Sequence, residues 1–348
     1  MKLTRRTLVC AAGASLLLAQ AVTAEAQELP RNVRLVIGST STGGDTYQNS
    51  AIVAEALSNK LGINVKVDAV GATEAFKALG RDSRGTTLMI FHDQSYLGNL
   101  YGVRGYQDIF AEYKLGPTVA INPGNAYLVP KDSPYQSMDD ILTAAANGER
   151  VRVAIQPGGV SEIGFSAMKN AARVRSPGSQ ENIVPVNTGS QSDKNQALFD
   201  DLADVINGSI QANEQFTQLP EDDQKAMRFV WITARPVTLE QAPPEGMGDT
   251  TRDEMLKYAS PQTSVTLDGE QDFTFDKEFF FLYNKEMDQG IVEQIDTALT
   301  EIYAEGEIQK RQKASFFIPN FLPSEEARAH LEKKRTTYEQ VIKEISTE

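Results

Sequence analysis

An α/β fold divided between two domains is what this sequence predicts, and three observations predict it. Short β-branched runs recur along the chain with amphipathic stretches between them, the alternation that builds mostly parallel sheets dressed with helices. Those runs carry apolar residues at successive positions, as strands covered on both faces should. Once an amino-terminal export segment is set aside, roughly 320 residues remain, enough for two domains sharing the chain.

The export segment comes first. Lys2, Arg5 and Arg6 form a charged head, Thr7 to Ala21 an apolar core, and Val22-Thr23-Ala24 or Ala24-Glu25-Ala26 a small-residue cleavage site, so residues 1–26 read as a cleavable signal peptide. Thr4-Arg5-Arg6-Thr7-Leu8-Val9 also fits a twin-arginine signal, which would carry the protein out already folded; an ordinary positive head fits equally well. Cys10, the single cysteine, lies inside the apolar core and leaves with it. The exported chain therefore has no disulfide and stands on its core. A second apolar run, Phe279-Phe280-Phe281-Leu282-Tyr283, falls far short of the ~18–20 residues that span a bilayer.

Strands are expected at 32–38, 64–70, 86–92, 117–121, 125–130, 151–156, 182–187, 203–210, 228–234 and 279–284. Val53, Ala56, Leu57 and Leu61 mark the inner face of a first helix, Ile141, Leu142 and Ala145 that of another. Ile163, Phe165, Ala167 and Met168 belong to a third. The last helix is announced by Pro323-Ser324-Glu325-Glu326, a cap followed by acids at the positive end of the helix dipole. Leu331, Tyr338, Ile342 and Ile345 then follow at helical spacing, and this helix is expected to pack on the first domain. The stretch 239–276, with Pro243-Pro244-Glu245-Gly246, reads as surface excursions, and Trp231 as core.

Charge narrows the function. Lys plus Arg number 34 against 47 Asp plus Glu, a net −13; loss of Lys2, Arg5 and Arg6 makes it −16. That opposes nucleic acid and anionic membranes as partners, and a bound anion would have to be held by local geometry. Catalytic patterns are missing. Beyond residue 26 there are two histidines, His92 and His330, and no cysteine; no nucleophile elbow, zinc spacing or phosphate loop with lysine occurs. His92 is read as closing its strand and His330 as a surface residue. Asp200, Asp201 and Asp204 lack a calcium-loop spacing and read as a solvated helix end. Neither a cofactor nor a metal is expected.

The candidate binding residues sit where strands feed helices. Ser39, Thr40, Ser41, Thr42, Gly43, Gly44 and Asp45 follow the first strand and open a helix. Glycines let backbone approach a ligand, and the first N–H groups of a helix have no internal partner. Gln156, Gly158, Gly159, Val160 and Ser161 repeat the arrangement after the strand at 151–155, and Thr188, Gly189 and Ser190 after the strand at 182–187. The same residues also suit tight turns that merely cap their helices.

The order of these motifs resembles the extracytoplasmic solute-binding component of tripartite tricarboxylate transporters, the Bug-type receptors. The likeness runs through the Gly43-Gly44 loop, Leu61-Gly62-Ile63-Asn64-Val65-Lys66-Val67, Gly71 and Gly85-Thr86-Thr87-Leu88-Met89-Ile90. It continues with Asn125-Ala126-Tyr127-Leu128-Val129-Pro130, Ser137-Met138-Asp139-Asp140-Ile141, Val153-Ala154 with Gly158-Gly159, and Val186-Asn187-Thr188-Gly189-Ser190. Ala203-Asp204-Val205 and Pro323-Ser324-Glu325-Glu326 complete it. Departures exist: Asp45 follows Gly44 directly where the family places two residues between, the first helix lacks an arginine, and Gln156-Pro157-Gly158-Gly159-Val160-Ser161-Glu162 lacks the family's serines and histidine.

The resemblance implies a periplasmic protein of the type II, Venus-flytrap architecture, with a mostly parallel sheet in each lobe. Lobe one would be residues 31–121 plus 236–348 and lobe two 122–235, hinged near 121–125 and 234–237. It implies that the first two loops face each other across a cleft, that Asp204 lies near it, and that the ligand is a small organic acid, by default a di- or tricarboxylate. The partners would be one large and one small integral membrane permease subunit, and the protein a monomer and not an enzyme. A binding module of this shape serving another importer or a sensor, or an exported α/β enzyme, are the rival readings.

Overall fold

The computed structural model describes residues 29–244 and 247–346; the expected signal peptide lies outside them. The chain opens as β1 (Asn32–Ile37), α1 (Asp45–Leu61), β2 (Asn64–Ala69), α2 (Ala72–Gly80), β3 (Thr87–His92), α3 (Gln94–Leu100), α4 (Ile109–Glu112) and β4 (Tyr113–Asn122). It continues with β5 (Ala126–Pro130), α5 (Met138–Ala146), β6 (Val151–Ile155), α6 (Val160–Arg175), β7 (Ile183–Asn187), α7 (Gln191–Phe199), β8 (Val205–Gly208), α8 (Ile210–Thr217) and β9 (Met227–Ile232). The short α9 (Pro236–Leu239) and α10 (Arg252–Leu256) lead to β10 (Lys277–Asn284), α11 (Gln289–Glu305), α12 (Glu307–Ala314), β11 (Ile318–Leu322) and α13 (Ser324–Ser346).

These strands form two sheets, one ordered β11-β4-β10-β3-β1-β2 and the other β7-β6-β8-β5-β9. Each has a parallel core of three strands, β3-β1-β2 and β8-β6-β7. The expected mostly parallel sheets are thus mixed, because strands adjoining the crossings between lobes enter antiparallel: β10 beside β3 and β4, β11 beside β4, and β5 beside β8 and β9. The fold is a two-lobed α/β architecture.

Alternation along β10 shows how the first sheet is covered. Phe279, Phe281 and Tyr283 join Val33, Leu35, Val53, Leu57, Ile295 and Leu299 on one face; Phe280 and Leu282 join Phe76, Met89, Leu97 and Leu331 on the other. That second cluster is continuous with residues of the second lobe, among them Tyr127, Ile155, Phe165 and Met168. Trp231 is fully buried within it, its ring 4.7 Å from that of Tyr127. Burial of so many large side chains, at about 1.5–3 kcal/mol each, makes the lobe junction on this side part of the core.

The outer face of the second sheet holds a correction. Leu239, Ala242, Met247, Met255 and Ala259 are buried there against Leu128, Ile206 and Phe229, and the Ile232 amide donates to the Tyr258 carbonyl at 2.7 Å. Part of the stretch taken for surface excursions is therefore core, and residues 239–244 and 247–259 pack on the second lobe. The apolar residues that do this are spaced irregularly around prolines, which hid them. The C-terminal helix also does more than expected: α13 lies against β4 and against α6, one element from each lobe. His330 on it is half-buried, not a free surface residue, and meets Glu278 at 2.7 Å. Lys334 reaches Asp93 at 2.6 Å.

Three segments lie side by side at the junction of the lobes, the two that cross it near Asn125 and Phe275 and the end of β9 at Thr233. Thr233 donates its amide to the Asn125 carbonyl at 2.9 Å and its hydroxyl to the Phe275 carbonyl at 2.8 Å. The Phe275 amide returns to the Thr233 carbonyl at 2.7 Å. Gly124 sits at this junction with φ +59°, and an added Cβ would fall 2.4 Å from the Ala234 nitrogen. Only glycine suits both demands.

Candidate functional site

A cleft of about 570 Å³ lies between the lobes. Its first-lobe wall is the turn from β1 into α1, with His92 and Lys277; its second-lobe wall is the turn from β7 into α7, with Ser161, Lys194 and Asn207. Both turns place a helix start at the cavity. No side chain caps α1, whose Ncap is Gly44. Among the described residues the amides of Gly44 and Asp45, and of Gly189, Gln191 and Ser192, have no hydrogen-bond partner in the protein. Orphan donors of this kind are what a helix start offers an anion.

The loop around them is held by its own hydroxyls. Ser39 Oγ accepts from the Ser41 amide at 3.1 Å, and Ser41 Oγ from the Gly43 amide at 3.3 Å. The Ser39 carbonyl takes the Gly71 amide at 3.2 Å. These serines shape the turn as much as they line it.

Charge in the first-lobe wall is paired. Asp45 receives Lys277 Nζ and, at 2.6 Å, Asn122 Nδ2. Burial raises the Asp45 carboxyl, but the Lys277 ammonium leads the effects that outweigh it and bring its pKa to about 2. His92 is lowered to about 3 by burial first and then by the Lys277 ammonium, so its imidazole is neutral at any ordinary pH. In the second-lobe wall a chain of bonds runs from the Gln156 amide to Ser161 Oγ (2.9 Å) and from that hydroxyl to Asn207 Oδ1 (2.7 Å), where Lys194 Nζ also donates (3.0 Å).

The lobes also touch directly. Gln94 at the start of α3 donates Nε2 to the Gly158 carbonyl at 2.6 Å and accepts the Val160 amide at 3.1 Å. Gly159 lies beneath it, since a Cβ there would come 1.7 Å from Gln94 Oε1. Tyr101 and Ser166 meet through their hydroxyls at 3.0 Å.

No family model matches the sequence, and no curated protein does. Solved structures match over most of its length. A TctC solute-binding protein from Polaromonas is 14% identical, with a TM-score of 0.63 over 90% of this chain and 98% of its own. MatC from Rhodopseudomonas palustris, solved with bound malate, is 14% identical with a TM-score of 0.63, covering 90% and 100%. A second R. palustris protein, solved with adipate, is 15% identical with a TM-score of 0.68, covering 92% and 99%. The fold is that of the TctC-type solute-binding proteins. It agrees with the motif order read from the sequence.

Within this solute-binding fold the expected site residues divide. Ser39, Thr40, Ser41, Gly44 and Asp45, then Gln156, Val160 and Ser161, then Gly189 and Ser190 line the cleft. Thr42, Gly43, Gly158, Gly159, Thr188 and Asp204 are not among its lining residues. Thr188 turns its hydroxyl to the Ile155 carbonyl. Asp204 is engaged by the Arg152 guanidinium at 2.6 Å and the Arg152 amide at 2.7 Å. The second loop has spent most of its donors: Gln156 on Ser161, Gly158 on Glu162, Val160 on Gln94. Gln191, which continues the third helix start, also lines the cleft; sequence reasoning missed Ser192, Lys194, Asn207 and Lys277, all in the cleft wall. His92, read as closing its strand, lines the cleft as well.

Proposed function

We propose that this protein is an extracytoplasmic receptor that captures a small carboxylate between its lobes and delivers it to a tripartite tricarboxylate-type permease of one large and one small membrane subunit. One observation carries the reading. Unpartnered amides at two helix starts, one in each lobe, line a single cavity. A carboxylate there would gain charge-assisted bonds of roughly 1.5–3 kcal/mol each, and four or five suffice for micromolar affinity, about 8 kcal/mol. Malate and adipate in two proteins of this fold support an organic acid as the class. The junction segments at Asn125, Thr233 and Phe275 would serve as the hinge, and closure about them would exclude water and strengthen each bond.

The same wall argues for binding without turnover. A histidine held near 3 and a carboxylate held near 2 are poor proton carriers at neutral pH, where an acid–base catalyst needs a matched pKa. Thermal-shift screening of the exported protein against organic acids, amino acids and aromatic carboxylates, followed by calorimetry on the hits, tests the proposal. At least one carboxylate should bind stoichiometrically with micromolar or tighter affinity and be recovered unchanged. Binding confined to uncharged solutes, or conversion of the acid, would overturn it.

A further inference from the structure

A buried ammonium lines the cleft with no carboxylate among the described residues to balance it. Lys194 is 5% exposed and spends one of its three donors on Asn207. Among the described residues no acidic side chain lies within ion-pairing distance of it, whereas the other fully buried lysine, Lys277, has Asp45. Isolated buried cations are costly, and the structures that keep them pair them with something. Here the space beside the ammonium is the cleft itself.

The groups around Lys194 make the imbalance explicit. From β10 comes Lys277 and from α1 Asp45, which cancel; from β3 comes His92, which is neutral. On the elements packed against α7, β8 offers Asn207, and Arg152 on β6 is tied to Asp204 and Asp201. Glu162 on α6 holds the Gly158 amide and Glu214 on α8 the Asp249 and Thr250 amides. Asp193, beside Lys194 in the chain, is exposed. The charged side chains that line the cleft itself are Asp45, Lys277 and Lys194; with Lys194 protonated they sum to one positive charge, and the two helix starts add ~0.5 each. A dianion balances that sum.

Building on the carboxylate reading, we propose that Lys194 selects the ligand: it forms a direct ion pair with one carboxylate of a dicarboxylate whose other end takes the amides opening α1. Capture is then proton-coupled. Burial first, and the Lys277 ammonium second, lower the Lys194 amine to about 7, and a bound carboxylate raises it again. Affinity is level below pH 7 and falls about tenfold per pH unit above it, with about half a proton taken up per ligand at pH 7 and close to one at pH 8.

The test is calorimetry of the exported protein and of Lys194→Met and Lys194→Gln with succinate, malate, adipate, butyrate and hexanoate. Runs from pH 6 to 9, in buffers of different ionisation enthalpy, read proton uptake. Wild type should bind a dicarboxylate, take up a proton and lose affinity above pH 7. Both variants, shown folded by circular dichroism, should bind that acid at least 30-fold more weakly with no proton uptake. Variants that bind within threefold of wild type, or a wild type that takes up no proton at pH 8, overturn the proposal even if a variant fails to fold. Wild type that prefers the monocarboxylates overturns it while leaving the carboxylate reading intact. Wild type that binds none of the acids, here or in the wider screen, removes the reading on which it rests.

Discussion

Replacing Lys194 by methionine should make the protein more stable, an unusual expectation for a buried residue. The ammonium has one neutral hydrogen-bond partner and no counter-ion among the described residues, while methionine keeps most of the apolar stem. The amine's pKa falls from 10.5 to about 7. At about 1.36 kcal/mol per unit, the penalty for holding the proton in the folded state is at most about 5 kcal/mol. Relaxation and water reduce this, and hydrophobic replacement of buried charge typically returns roughly 1–4 kcal/mol. The sign fixes a pH window. Below 7 both folded and unfolded chains carry the proton and the full penalty applies. Between 7 and 10.5 the unfolded chain binds more protons, so wild-type stability rises with pH relative to the variant. Urea unfolding at pH 6.5 and pH 9.5, without added organic acids, measures it. The variant should lead by roughly 1–4 kcal/mol at pH 6.5 and by much less at pH 9.5. A variant less stable than wild type, or a lead that does not change with pH, would refute the reasoning.

Three further outcomes are expected. Gly124→Ala forces a side chain into φ +59° and against the Ala234 nitrogen; urea unfolding should show a loss of about 1–3 kcal/mol or more. Gln94→Ala removes both side-chain bonds to Gly158 and Val160; small-angle scattering should report a larger radius of gyration, and an unchanged one would mean that α13 and the shared core alone hold the lobes. Asp45→Asn acts at low pH. The carboxyl's stabilising effect is complete above its ordinary 3.8 and disappears as pH falls toward about 2, so wild type should lose about 2 kcal/mol across that range and the variant should not.

Much of the fold was legible because local pattern and burial agree. All ten expected strands are present, each a β-branched or aromatic run that a covered sheet requires. The failures have causes. β11, Ile-Pro-Asn-Phe-Leu, carries a proline and an asparagine that mask a strand on the sheet edge. β4 begins four residues earlier than expected, across Lys114 and Gly116. The three β–α turns were found, but not which donors remain free, since that depends on Gln94 reaching over from the other lobe. The two lysines were readable in principle. Lys194 stands three and four residues before Ala197 and Leu198, on the buried stripe of α7. Lys277 alternates with Phe279, Phe281 and Tyr283 on one face of β10. A cation placed on an apolar stripe is the signal, and reading it needs attention to residues that usually mean solvent.

The most direct test of a clamp closing on a carboxylate is a titration followed amide by amide. With the protein labelled in ¹⁵N and a dicarboxylate added at pH 6.5, Gly44 and Asp45 in one lobe and Gly189, Gln191 and Ser192 in the other should shift together, with one shared dissociation constant. Shifts confined to one lobe, or to residues away from these two helix starts, would contradict the account.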